Sequence, residues 1–230
     1  MINANPVSPS LVYPSEVSVM PALARWIRRL RYGPPVVVVS GLPRSGTSLM
    51  MQMLRAGGLG VVSDAARVPD ASNPRGYLEL EAVKDLDRGA APAWLPAARG
   101  KAVKVVSPLL HWLPDTCNYR VILMERDLDE VIASQNRMLA ASGAGVDKAQ
   151  DARVKDGYRA LDEGTMRLLR ARRCFSTHVV RYADAVAHPE DTARRVDRFL
   201  GGGLDVRRMA EAVDPALYRN RRASATPWLD

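Results

Sequence analysis

Val36-Val37-Val38-Val39-Ser40-Gly41-Leu42-Pro43-Arg44-Ser45-Gly46-Thr47-Ser48-Leu49-Met50 is the stretch on which the reading of the whole chain turns. Four successive β-branched residues leave no polar face, the pattern of a strand buried on both sides in a parallel sheet. From Thr47 onward, Leu49, Met50, Met53 and Leu54 share one side of a helix, which Gly57-Gly58 terminates. Between strand and helix, residues 41–46 form a loop whose backbone N–H groups can converge on an anion at a helix N-terminus. Measured against the Gly-x-x-x-x-Gly-Lys-Ser/Thr phosphate loop, both glycines and Ser48 are in place. Thr47 stands where the Lys belongs, and the nearest cation is Arg44. Kinases and ATPases use that Lys together with Mg²⁺ to offset charge on the β and γ phosphates, so its loss weighs against them. A bare glycine turn would need neither the Arg nor the hydroxyls.

On either side of this unit the pattern alternates. Short apolar runs bounded by Pro or by charges predict strands at 102–106, 119–124 and 177–181. Helices are predicted at 127–141, with Asp127, Asp129 and Glu130 in the first turn, at 148–172, and at 189–200 before Gly201-Gly202-Gly203. Residues 89–100 and 143–146 read as loops, and there is no internal repeat. The expected architecture is a single α/β domain with a mostly parallel central sheet flanked by helices, spanning 36–222. A tail, 223–230, follows it, and an extension, 1–35, precedes it. Within the extension, Leu23, Trp26, Ile27 and Leu30 recur at helical spacing among Arg25, Arg28, Arg29 and Arg31, predicting a basic amphipathic helix at 21–31. With an apolar face only about three turns long, it is expected to pack on the domain and not on a membrane.

At 230 residues, 47% hydrophobic and 25% charged, the chain suits one folded domain and is not disordered in bulk. No apolar stretch reaches the roughly 18 to 20 residues that cross a bilayer, and the N-terminus has no secretory pattern. Cys117 and Cys174 are isolated, which disfavours a disulfide scaffold or a zinc site. A soluble, cytoplasmic chain is the expectation. The net charge of +8 fits either a nucleic acid or a small polyanion, but 6% aromatic residues and two Phe leave few platforms for stacking bases. Nucleic acid is therefore not an expected partner.

The second constellation is Glu125-Arg126-Asp127, at a strand end, with Ser134 eight residues beyond Arg126. Eight residues of helix rise about 12 Å, a distance over which an Arg reaching along the helix meets the Ser hydroxyl around one small anion. Strand ends that open into helices are where open parallel sheets bind ligands. An Arg–Asp surface pair beside an ordinary helical Ser is the alternative.

Pro43-Arg44-Ser45-Gly46-Thr47-Ser48, taken with Arg126-Asp127 and Ser134, resembles the sulfotransferases that use 3′-phosphoadenosine 5′-phosphosulfate (PAPS). The resemblance implies a P-loop-like sulfotransferase fold in which Arg44, Ser45, Gly46, Thr47 and Ser48 hold the 5′-phosphosulfate. It gives the 3′-phosphate to Arg126 and Ser134. Tyr182 resembles the family's strand-end Tyr near the adenine, and Tyr218-Arg219-Asn220-Arg221-Arg222 its C-terminal basic segment, which adds Arg221 and Arg222 to the cofactor residues. Asn73-Pro74-Arg75-Gly76-Tyr77-Leu78-Glu79 and Phe199-Leu200-Gly201 are similar to recurring pieces of bacterial members. PAPS is then the co-substrate, 3′-phosphoadenosine 5′-phosphate (PAP) the product, and no metal is required.

Where many members carry Lys, this chain has Arg44, and the usual Lys-x-His reads Lys104-Val105-Val106. Arg44 and Lys104 are the candidates for stabilising charge on the transferring group. Glu79, in a turn-rich segment, is expected to be the general base, with His111 second. His178 and His188 read as structural. The acceptor is expected to be a hydroxyl or amine on a small molecule or glycoconjugate, in a pocket open to a large acceptor or finished by a second subunit of a homo-oligomer. A P-loop kinase or nucleotide hydrolase and a non-catalytic nucleotide-binding module are the alternatives.

Overall fold

The valines of 36–39 lie at the centre of a five-stranded sheet with strand order β1-β5-β4-β2-β3. The strands are β1 (Glu16–Ser18), β2 (Val36–Gly41), β3 (Ala102–Lys104), β4 (Tyr119–Glu125) and β5 (Phe175–Arg181). β2 to β5 are parallel, and β1 adds an antiparallel edge through Glu16↔His178 and Ser18↔Ser176. The computed structural model describes residues 16–18, 22–64, 76–89, 92–145 and 147–217. The domain expected to start at 36 thus draws its edge strand from the first 35 residues, which three residues of ordinary composition did not signal.

The helices are α1 (Ala22–Tyr32), α2 (Thr47–Ala56), α3 (Leu128–Ala141), α4 (Asp151–Ala171), α5 (Tyr182–Ala187), α6 (Pro189–Leu200) and α7 (Val206–Glu211). Strand β3 stops at Lys104, two residues early, because the chain turns after Val106 into the 3₁₀ segment Ser107–Trp112. The expected loop at 89–100 holds a short 3₁₀ turn, Pro96–Ala98, that buries Ala98. Helices α5 and α7, six residues each, lack the two turns of periodicity by which a helix is recognised.

Alternation along the strands sorts the core into two layers. Val36, Val38, Val121 and Phe175 face Met166 and Leu169 of α4. Val37, Val39, Ile122 and Val180 face Met50, Met53 and Leu54 of α2, together with α5, α6 and α7. Each such side chain, fully buried, contributes roughly 1.5–3 kcal/mol. The connection leaving β2 passes over the α2 layer to β3, whereas the one leaving β4 passes over the α4 layer to β5. The crevice between the carboxyl ends of β2 and β4 is therefore the point at which the winding reverses, where open α/β sheets take their ligands.

Helix α1 differs from expectation in orientation. Leu23, Trp26, Ile27 and Leu30 are 68, 58, 52 and 67% exposed. It is the polar side that docks: Arg28 donates to Asn118 Oδ1 at 2.9 Å and to the carbonyls of Asp115 and Cys117, and Asn118 Nδ2 returns a bond to the Arg28 carbonyl. Carbonyls turned outward ahead of β4 need donors, and a guanidinium satisfies them where a Leu cannot.

Arg172, after α4, closes the same end of the sheet. Its guanidinium donates to the carbonyls of His111 and Leu113 and to the Asp115 carboxylate, over the Phe175 ring. Asp115 in turn lies 3.1 Å from Cys174 Sγ. Arg172→Ala is expected to destabilise the fold by about 2–4 kcal/mol, with Arg172→Lys recovering less than half because it lacks the planar fork. Urea midpoints at constant slope measure this, and an unchanged midpoint for the Ala variant would remove Arg172 from the account of stability.

Candidate functional site

The loop after β2 is shaped by two glycines that accept no side chain. At Gly41 (φ +149°) a Cβ would press on Ser45 Oγ and the Met124 carbonyl, and at Gly46 (φ +103°) it would run into the Tyr182 ring. Between them Arg44 takes φ +67°, a left-handed conformation that costs a non-glycine residue of order 1–3 kcal/mol. Gly46 is the N-cap of α2 and supplies no side-chain cap, so the positive end of the helix opens at the crevice. Ser45 is 1% exposed, and its Oγ has no hydrogen-bond partner among the described residues. Thr47 is buried and Ser48 half-buried in the first turn.

The turn at Arg44 brings the two sequence constellations together, with one exchange of partners. The sequence reading has Arg126 meeting Ser134; in the structure Arg44 Nε donates to Ser134 Oγ at 3.1 Å. Arg126 instead donates from Nη1 to the Arg44 carbonyl at 3.1 Å and from Nε to Glu130 Oε2 at 3.0 Å. Its guanidinium carbon lies 4.3 Å from the centre of the Tyr182 ring. The side chains of Arg126 and Glu130 are 7 and 8% exposed, a buried ion pair one helical turn long. Arg126 bonds its i+4 neighbour, and the strained loop delivers Arg44 to Ser134 from across the crevice, so Arg44 joins the two residues that the sequence reading sets around one small anion. Tyr182, 7% exposed, opens α5 directly after β5, wedged between Gly46 and Arg126.

On the other side of the loop, Lys104 at the end of β3 donates to Glu79 Oε1 at 2.8 Å and to Ser48 Oγ at 3.3 Å. The Lys104 and Glu79 side chains are 8 and 24% exposed. Glu79 is placed by a strained turn, Gly76 at φ +85° and Leu78 at φ +49°, that is tied to α2 by Gln52 Nε2 donating to the Gly76 carbonyl. Asp64 N bonds the Glu79 carbonyl.

His111 is not at this site. The 3₁₀ segment carrying it folds back along the sheet, so its carbonyl meets Arg172 at the opposite end, and its exposed ring packs edge-on against Trp112, 5.5 Å away. His178 is buried and stacked on Phe199, and His188 stands at the N-terminal boundary of α6 with no side-chain capping bond. Arg221 and Arg222 lie outside the described residues.

The sequence reading missed a carboxylate pair on the α4 side. Burial, followed by the charge of Asp184, raises Glu125 at the end of β4, against the opposing pull of Arg181 at 3.7 Å. Burial and the nearby Glu125 push Asp162 in α4 up to about 7. The signal was present, because Asp162 falls on the same inward stripe as Tyr158, Thr165, Met166 and Leu169. Among the described residues, no group of three or more His, Cys, Asp or Glu is placed to hold a metal ion, and no helix is long and apolar enough to cross a membrane.

The segment from β3 to the start of α7 carries Lys104, Arg126, Ser134 and Tyr182, and it is this segment that a family model recognises. Residues 101–205 match the sulfotransferase family. The glycine loop and Glu79 lie ahead of the matched residues, so their part in the site is drawn from geometry alone. Solved structures similar to the chain include two sulfotransferases. The sulfotransferase domain from the curacin biosynthetic pathway is 19% identical over 79% of this chain and 78% of that one, with a TM-score of 0.47. Sulfotransferase STF1 from Mycobacterium tuberculosis H37Rv is 16% identical over 83% of this chain and 74% of that one, with a TM-score of 0.47. No curated protein matches the chain.

The raised Asp162 carries a stability consequence of defined sign. Its folded form holds a proton up to about pH 7, whereas the unfolded form releases it near 3.8, so this group lowers stability as pH rises between those values. Asp162→Asn is expected to be more stable than the native chain at pH 8 by on the order of a few kcal/mol, and similar to it at pH 4. Thermal midpoints across that range test it; a difference independent of pH would show that Asp162 is not held protonated.

Proposed function

We propose that the chain is a PAPS-dependent sulfotransferase acting on a hydroxyl or amine. The observation that carries the reading is the convergence of Arg44, Arg126 and Ser134 on the uncapped N-terminus of α2, at the reversal point of the sheet. The residues fit an adenosine bisphosphate. Ser45 Oγ lacks a partner among the described residues, and the donors present are guanidinium, hydroxyl and backbone N–H groups. In this reading Arg44, Ser45, Gly46, Thr47 and Ser48 hold the 5′ end, and Arg126 with Ser134 holds the 3′-phosphate. Tyr182 supports Arg126 from below. Bound there, the donor supplies a sulfuryl group, transferred in line to the acceptor oxygen or nitrogen with PAP as the leaving group.

The chain's own work is positioning and electrostatics. The dipole of α2 and the Arg44 guanidinium meet charge on the leaving phosphate. Lys104 is poised between Ser48 on the loop and Glu79. It therefore links the donor side to the proton acceptor: Glu79 takes the acceptor's proton, and Lys104 holds its carboxylate in place until then. A cytoplasmic setting and an acceptor on a small molecule or glycoconjugate complete the proposal.

Calorimetric titration with PAP in the presence of chelator is expected to show binding, and Arg126→Ala to weaken it by about 2–3 kcal/mol. The same variant is expected to lose the preference for PAP over adenosine 5′-phosphate. Equal affinities for both nucleotides in the native chain would remove the 3′-phosphate from Arg126, and tighter binding of ATP with Mg²⁺ would favour a kinase.

Transfer of labelled sulfate from PAPS to a panel of hydroxylated acceptors tests turnover. Glu79→Gln is expected to lower kcat by roughly 10² with PAP affinity kept, because only the proton transfer is lost. His111→Ala is expected to leave turnover intact. A Glu79→Gln enzyme at native turnover would move the base elsewhere.

A further inference from the structure

Helix α1 shows the solvent a surface that soluble domains ordinarily bury. Leu23, Trp26, Ile27 and Leu30 follow the i, i+3, i+4, i+7 spacing of one helix face, and all four are more than half exposed. Trp26, Leu30 and Pro34 line a groove together with Arg29. The helix contains no acidic residue, and Arg29 and Arg31 flank the apolar stripe, both exposed. The side chain of Arg99 lies beside Gly33 at the end of the helix, adding a third exposed cation. Asp115, which lies under the helix beside Arg28, is bonded to Arg172. Arg28 fastens the opposite face of the helix to the domain, so the stripe is held outward by specific bonds.

We infer that α1 docks the protein on an anionic phospholipid surface, with Leu23, Trp26, Ile27 and Leu30 in the headgroup boundary and Arg29, Arg31 and Arg99 on lipid phosphates. Charge complementarity selects this occupant. A second copy of the chain would set Arg29 and Arg31 against the same arginines, a like-charge contact, whereas an anionic interface pairs with every cation on the face. A Trp among leucines with arginines at the flanks is the composition of helices that lie in the interface plane. At about 16 Å, the helix is too short to span and long enough to lie flat. This reverses the expectation that the helix packs its apolar face on the domain. It stands apart from the nucleotide reading, since it concerns the end of the sheet away from the glycine loop.

The test is co-sedimentation of the full chain, without nucleotide, with vesicles of phosphatidylcholine alone and of phosphatidylcholine mixed with phosphatidylglycerol. Binding to the mixed vesicles is expected to exceed binding to the zwitterionic ones by on the order of tenfold or more. The double variant Leu23→Ser, Leu30→Ser is expected to lose binding to both, and Arg29→Ser, Arg31→Ser to lose the preference for the anionic lipid. The substituted side chains are exposed, and unchanged circular dichroism checks that the fold is kept. Failure of the native chain to bind mixed vesicles, or binding untouched by either double variant, overturns the inference. So does a concentration-dependent dimer, seen by sedimentation velocity, that the Leu23→Ser, Leu30→Ser variant abolishes.

Discussion

The pairing of β2 with β4 fixes where every charge of the candidate site ends up. Val36 lies against Tyr119 and Gly41 against Met124, six consecutive pairs in parallel register. A slip by one residue would turn Val37 and Val39 out of the α2 layer and move Gly41 away from the Met124 carbonyl that it alone can approach. With the register held, Arg126 leaves β4 two residues past that contact and reaches the carbonyl of Arg44. The hydrophobic pattern thus sets the geometry of the polar cluster: the strands are buried on both faces, and only one register satisfies both layers.

Holding this cluster together has an energetic cost. Arg126 and Glu130 are both nearly buried, and such a pair gains little over a well-packed apolar one. Arg44 adds a left-handed backbone. These terms are tolerated because the surrounding core over-determines the loop: Tyr182 fills the space at Gly46, and Ser45 fills that at Gly41. Donors fixed in place by packing are the arrangement in which electrostatic preorganisation is worth most.

Much of this was legible in the sequence. Four valines followed by Gly41 and Gly46 gave the strand, the loop and the helix, and the alternation downstream gave the parallel sheet. The identity of the residues around the crevice was also readable, but their pairing was not. Spacing along α3 set Arg126 and Ser134 around one anion, whereas the bond from Arg44 to Ser134 depends on the φ of Arg44, which no local pattern encodes. His111 fell on the wrong end of the sheet because Ser107–Trp112 is a 3₁₀ segment that doubles back, and three residues per turn leave no periodicity to detect over six residues. Asp162 was overlooked for a different reason: a carboxylate in a long helix reads as solvated unless its place on the apolar stripe is checked.

Helix α1 carries the same lesson about what amphipathicity means. A periodic stripe fixes that a helix has two faces, not which face meets the protein. Here the surface beneath it is made of the carbonyls of Asp115 and Cys117 and the amide of Asn118, so the guanidinium of Arg28 is the better partner. Arginines stand at both ends of the sheet. Arg44 and Arg126 lie at the carboxyl ends of the strands, and Arg29, Arg31 and Arg99 lie near the starts of β2 and β3. A six-residue strand keeps these groups roughly 20 Å apart, beyond two Debye lengths at physiological salt and on opposite sides of a low-dielectric core only in part. At that separation salt screens the two groups of arginines from each other, and a charge at one exerts little pull on the other.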